Sequence, residues 1–181
     1  MDEVICDFIG GACKLHGISR DQLESVRPPG QWDIMGCIAD LTYSSRGRVL
    51  ADISNAGEGF WLHLERLEEG LELIEWAANQ DIEWHIVTTP FDNAGSYSGK
   101  LEWLKGVFGP SFRKWHPTFY KEIFAGPDTV LIDDKEENCE EFVKNEGQAI
   151  LWPCQGNKNY GLVGRRLEVV KSQLEVIINA S

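Results

Sequence analysis

No stretch of about 18 apolar residues occurs in the 181-residue sequence, so no helical membrane span is expected. The first residues carry Asp2, Glu3 and Asp7 rather than a basic run ahead of an apolar one, and do not read as a signal peptide. Basic residues are scarce: 17 Lys and Arg stand against 29 Asp and Glu, a net charge of −12. The deficit lies mostly in residues 1–90, with 16 acids and 6 bases, while residues 91–181 hold 13 and 11. Such a surface repels a polyphosphate, which argues against a nucleic-acid-binding module. A small phosphorylated molecule stays open, because local cations or a bound metal overcome the global field. No CxxC occurs, and Cys6, Cys13, Cys37, Cys139 and Cys154 are odd in number and scattered. That pattern argues for reduced thiols in a cytoplasmic protein. Neither GxxxxGK[ST] nor GxGxxG is present, so there is no P-loop or dinucleotide fingerprint. His16, His63, His85 and His116 show no metal-ligand spacing.

What is there reads as one domain over 1–181, with strands alternating with helices in the last 120 residues. Phe8, Ile9, Ala12 and Leu15 recur at helical spacing, and Ser19-Arg20-Asp21-Gln22 is a capping-box pattern. Residues 27–60, with Pro28-Pro29-Gly30 and further Gly and Ser, read as loops and short helices with little core. Leu67, Leu71, Ile74 and Ala78 mark a helix. Residues 83–89 read as a strand stopped by Pro90, and 92–98 as a polar loop. A helix follows over Leu101 to Val107, ending at Gly109-Pro110. Short strands are expected at 119–124, 129–132 and 149–152, and helices at 136–145 and 162–178.

In a parallel α/β sheet the ligand site lies beyond the carboxyl ends of the strands. The residues there are Thr88-Thr89 and Asp133-Asp134, with Asp2 near the start of the chain. Adjacent carboxylates bind a hard cation such as Mg²⁺, or else serve as a helix N-cap. Thr88-Thr89 offers a hydroxyl and backbone amides to a phosphate, or else is an ordinary β-branched strand end. Lys121 is a cation for such a phosphate, or else a solvated lysine. Trp32 and Trp61 are pocket aromatics or core.

Taken together, a hydroxyl after one strand, a Lys before another and then a paired Asp resemble the ordered motifs of the haloacid dehalogenase (HAD)-like phosphohydrolases. Val87-Thr88-Thr89-Pro90, Lys100-Leu101-Glu102-Trp103-Leu104 and Leu131-Ile132-Asp133-Asp134-Lys135 resemble, more narrowly, the 5′(3′)-deoxyribonucleotidase family and its phage and bacterial relatives. Asp7-Phe8 also fits. The resemblance implies a Rossmann-like parallel sheet flanked by helices, with a small helical cap inserted at about 9–60. It implies Mg²⁺-dependent removal of phosphate from a nucleoside monophosphate through an aspartyl-phosphate. By the same resemblance Asp2 is the general acid–base and gives its carbonyl to Mg²⁺. Thr88 and Thr89 hold the phosphate, Lys121 neutralises it, and Asp134 ligates Mg²⁺ with Asp133 in support. Phe8 lines the base or sugar pocket, with Trp61 or Trp32 as a further aromatic.

The sequence departs from the family at three places. The nucleophile is the Asp two positions before Asp2, a position ahead of Met1, so it and the first strand are expected upstream. The alternative is a protein that binds nucleotide or phosphate without hydrolysis. A third reading is a phosphatase of another small phosphate ester. Two extra residues stand between Lys121 and the Asp pair, at Ala125-Gly126-Pro127, and Glu3 stands where many members have Gly.

Overall fold

A computed structural model of the protein describes residues 1–180. Helices α1 (Phe8–Leu15) and α2 (Arg20–Val26) begin where side chains take up orphan amides. Asp7 accepts from the Gly10 amide, and Ser19 and Gln22 form a reciprocal capping box. Asp33 and Ser45 cap α3 (Ile34–Leu41) and α4 (Arg46–Asn55) in the same way, and α5 (Gly57–Leu62) follows. The expectation of little core in this region is wrong. Ile34, Cys37 and Ile38 on α3 and Val49 and Ile53 on α4 are buried, at i, i+3, i+4 spacing inside a stretch whose composition reads as loop.

The rest of the chain builds two right-sized β-α-β units. In the first, after α6 (Glu68–Asn79), β1 (Ile86–Thr88) runs through α7 (Ala94–Phe108) to the parallel β2 (Trp115–Pro117). In the second, β3 (Val130–Asp133) runs through α8 (Glu136–Lys144) to the parallel β4 (Gln148–Leu151). Ile86 faces Trp115 in one ladder and Val130 faces Gln148 in the other. Helix α9 (Arg166–Ala180) closes the described chain, with Val170 and Leu174 buried. Parallel pairing with helical crossovers makes the protein α/β. The single sheet expected from sequence is instead two two-stranded sheets, and among the described residues no ladder joins β1 to β3.

Two local expectations are also corrected. Residues Lys121–Phe124 form a turn of 3₁₀ helix, not a strand. The strand that pairs with β1 is Trp115–Pro117, which has no alternation and ends on a proline. The proline is tolerated because the strand is short and at a sheet edge. Helix α7 begins inside the expected polar loop, because Asn93 accepts the Ser96 amide at 2.9 Å. Among the described residues no helix is long and apolar enough to cross a membrane, and all five cysteines are free and buried.

Gly70 on α6 lets that helix seat against the Met1–Cys6 segment. A Cβ there would lie 1.9 Å from the Val4 carbonyl oxygen. Gly70→Ala is expected to destabilise the fold by about 1–3 kcal/mol, the usual range for forced overpacking, or more. A urea titration would show a lowered midpoint at unchanged slope. A wild-type midpoint would mean that the Val4 backbone yields freely.

Candidate active site

The Met1–Cys6 segment is a tight loop, closed by the Glu3 amide on the Cys6 carbonyl at 2.8 Å. Glu3 sits in the left-handed region at φ 57°, which favours glycine. This gives a physical reason why glycine would suit the position. Glu3 is held there by its buried carboxylate, which accepts the Ile9 amide and Arg20 Nη2, each at 2.8 Å. Arg20 also pairs with Asp7. The network therefore ties both first helices to the loop that carries Asp2. Burial pushes the Glu3 carboxyl above its ordinary value, and Arg20 only partly offsets this.

Asp2 faces a lysine that the sequence reading assigns no role. Lys100, on α7, is fully buried. Its ammonium donates to Asp2 Oδ2 at 2.5 Å, Thr88 Oγ1 at 3.0 Å and the Thr89 carbonyl at 3.1 Å. It also lies 4.6 Å from the Trp61 ring centroid. All three donors are used, so Lys100 orients Asp2 and the end of β1 rather than presenting itself to a ligand. Burial raises the Asp2 carboxyl, but the Lys100 charge, the Met1 ammonium and the hydrogen bonds from Lys100 and Cys6 together hold Asp2 below the usual range.

At the end of β3, Asp133 is buried and its carboxylate is fully engaged. Lys121 donates to Oδ2, while Oδ1 accepts the Lys135 amide at 3.0 Å and Asn138 Nδ2 at 2.9 Å. Lys121 itself is 9 % exposed and has donors left over. Neither aspartate caps α8, whose N-cap is Lys135 with no side-chain hydrogen bond. The Asp134 carboxylate accepts no hydrogen bond among the described residues. Burial, then the nearby Asp133 and Glu3, push it well above the ordinary aspartate value. Asn157 fixes the turn from below, donating to the Asp134 and Trp152 carbonyls, each at 2.8 Å.

These groups share one cavity of ≈ 410 Å³. Asp2, Thr88, Thr89, Lys121, Asp133 and Asp134 line it. Thr88 is buried while Thr89 is exposed at the opening. Trp32, Asp33, Met35, Arg46 and Leu50, from α3, α4 and the turn before α3, also line the cavity. Phe8, Phe91 and Phe119 complete it.

Two expectations need correction. Trp61 does not line the cavity. It is 1 % exposed and stacks beneath Phe8 at 5.5 Å, so it supports the wall rather than forming it. Asp133 is spent on Lys121, the Lys135 amide and Asn138, so it has no free oxygen to give a metal. Residues outside the sequence reading also reach the cavity. Arg27 is 3 % exposed and bound bidentately to Glu24 at 2.9 Å, with Nη1 making no hydrogen bond. Lys100 carries a legible signal: it stands on the buried stripe Ser96, Lys100, Trp103, Leu104 of α7, where a lysine needs a partner. Arg27 has a local partner in Glu24, but its burial carries no sequence signal, since that depends on packing near the turn at Gly156.

No protein-family model matches the chain, and no curated protein matches it.

Proposed function

We propose that the protein is a phosphohydrolase of the HAD-like type acting on a nucleoside monophosphate, with Mg²⁺ as its metal. One observation carries the reading. The carboxyl ends of β1 and β3, from separate β-α-β units, bring Thr88 and Asp134 to the same cavity as Asp2, and the 3₁₀ turn after β2 adds Lys121.

Among the described residues no group of three or more His, Cys, Asp or Glu side chains is spaced to hold a metal ion. Mg²⁺ does not require one, since it is bound through one or two carboxylates and keeps waters and substrate phosphates. Asp134 fits that demand: a half-buried carboxylate that accepts no hydrogen bond, crowded by Asp133 and Glu3, whose charge a hard cation would relieve. Asp134 and the Asp2 carbonyl would hold the ion, which when bound supplies Lewis-acid charge to phosphoryl oxygens.

The protein's own groups do the rest. Lys121, oriented by Asp133, donates to the phosphoryl oxygens. The Thr88 hydroxyl, set by Lys100, and the Thr89 region take a further oxygen. Asp2, kept ionised by Lys100, is suited to take a proton from water. A phosphate dianion beside it raises its pKa, which favours the complementary duty of protonating the leaving oxygen. The attacking carboxylate would stand directly before Met1, two positions ahead of Asp2. A strand leading into it would meet β1 and β3, each paired on one side only. The aromatic rings of Phe8, Trp32, Phe91 and Phe119 in the cavity lining suit a planar leaving group.

Calorimetric titration with a deoxynucleoside monophosphate tests the binding half. Binding is expected with Mg²⁺, weaker with EDTA, and lost in Lys121→Met. Equal binding in all three cases would refute the assignment of Lys121 and Asp134.

A further inference from the structure

A second cluster lies outside the cavity. His85, just before β1, and His116, within β2, are 31 positions apart in sequence and meet across the first ladder. His85 Nδ1 is 2.8 Å from His116 Nε2, with ring centroids 4.9 Å apart. On its other side, His85 Nε2 lies 3.3 Å from Glu83 Oε1. That carboxylate selects the tautomer with the proton on Nε2, which turns the Nδ1 lone pair toward His116. As the pair stands, His116 donates its Nε2 proton into that lone pair. Moving the proton to His116 Nδ1 leaves two lone pairs on adjoining nitrogens.

We propose that His85 and His116 form a bidentate site for a borderline divalent transition metal, with Cu²⁺ or Ni²⁺ favoured and Glu83 orienting His85. Two nitrogens bound at about 2.0 Å and subtending a right angle are about 2.8 Å apart, the cis spacing of tetragonal Cu²⁺ and Ni²⁺ sites. A tetrahedral Zn²⁺ would need about 3.3 Å, which requires the pair to open by about half an ångström. The carboxylate behind a ligating imidazole is the usual outer partner of such a ligand. The surroundings permit entry, since the His85 side chain is 43 % exposed. The groups facing the pair are Glu83, Lys114 and the Phe124 ring. Lys114 Nζ shares Glu83 at 2.9 Å, and the Phe124 ring lies 5.0 Å from His116. The hard-oxygen site at Asp134 is chemically distinct, so Mg²⁺ does not compete for this one. A metal here would clip the segment before β1 to β2.

The test is calorimetric titration of chelator-treated protein with Ni²⁺ alone at pH 7.5, repeated with Cu²⁺ and read by its nitrogen hyperfine splitting. Wild type is expected to bind one ion at this pair. His85→Asn, at the exposed position, and His116→Phe, which keeps the contact with Phe124, should each weaken it by more than about tenfold. Losing a ligand should be at least as harmful as losing its supporting partner. Metal should raise the melting temperature of wild type but of neither variant. Unchanged affinity in folded His85→Asn and His116→Phe proteins, or no binding by wild type, would overturn the proposal.

Discussion

Asp134→Asn is expected to cut Mg²⁺-dependent turnover by more than about a hundredfold, in a chain with the attacking aspartate in place, and to raise stability at pH 7. The first effect follows because Asn keeps the shape but removes the charge a hard cation needs, and the Lewis-acid contribution is several kcal/mol. The second follows from linkage. Burial, Asp133 and Glu3 raise the Asp134 pKa, so the ionised group destabilises the fold at every pH above its folded pKa. That penalty declines as pH falls through the folded pKa and vanishes below the unfolded one. The gain from Asn should therefore be full above the raised folded pKa and gone in strong acid, as read by urea midpoints across pH. The sequence suggests that Asp133→Asn is equally harmless to folding. The structure separates the two residues. Removing the Asp133 charge leaves Lys121 buried without its counterion, which costs on the order of 3–5 kcal/mol. A stabilised Asp133→Asn protein would contradict the pairing.

Lys100→Met should also destabilise the fold strongly, by about 3 kcal/mol. It removes the buried cation that joins Asp2, Thr88, Thr89 and Trp61. Asp2 is 28 % exposed, so water takes up part of the stranded charge, and the lower end of the usual range applies. Adding Asp2→Asn to Lys100→Met should recover much of the loss, because it removes the uncompensated carboxylate. The pH dependence has a fixed sign. Lys100 holds the Asp2 pKa below its ordinary value against the pull of burial. Its contribution is therefore full above the unfolded aspartate pKa and lost as pH falls through the lower folded one. The gap between wild type and Lys100→Met should narrow in acid. A constant gap from neutral pH to strong acid would mean that packing, not the ion pair, sets the cost.

The parts of the site legible in the sequence are those fixed by local pattern. Thr88 and Asp133-Asp134 follow apolar runs, so their place at strand ends could be read directly. Lys100 was readable from its position on the apolar stripe of α7. The remaining features depend on partners distant in the chain. Arg20 reaches back 17 residues to Glu3, and Arg27 is buried by a turn more than a hundred residues later. His85 and His116 have no spacing signal because a parallel ladder, not a motif, brings them together. In residues 27–60 the Gly and Ser mask the helical spacing of Ile34, Cys37, Ile38, Val49 and Ile53. The division into two sheets has no local signature, since each β-α-β unit satisfies its own pattern.

The most direct measurement is phosphate release by a chain extended with an apolar strand ending in Asp immediately before Met1, alongside the same extension ending in Asn. With a deoxynucleoside monophosphate, the Asp form should release phosphate in Mg²⁺ and not in EDTA. The Asn form, and the chain beginning at Met1, should release none at an appreciable rate, because no other group supplies the nucleophile. Mg²⁺-dependent hydrolysis by the chain beginning at Met1, or silence from a folded Asp form that binds the nucleotide, would contradict the alignment of Asp2 on which the proposed function rests.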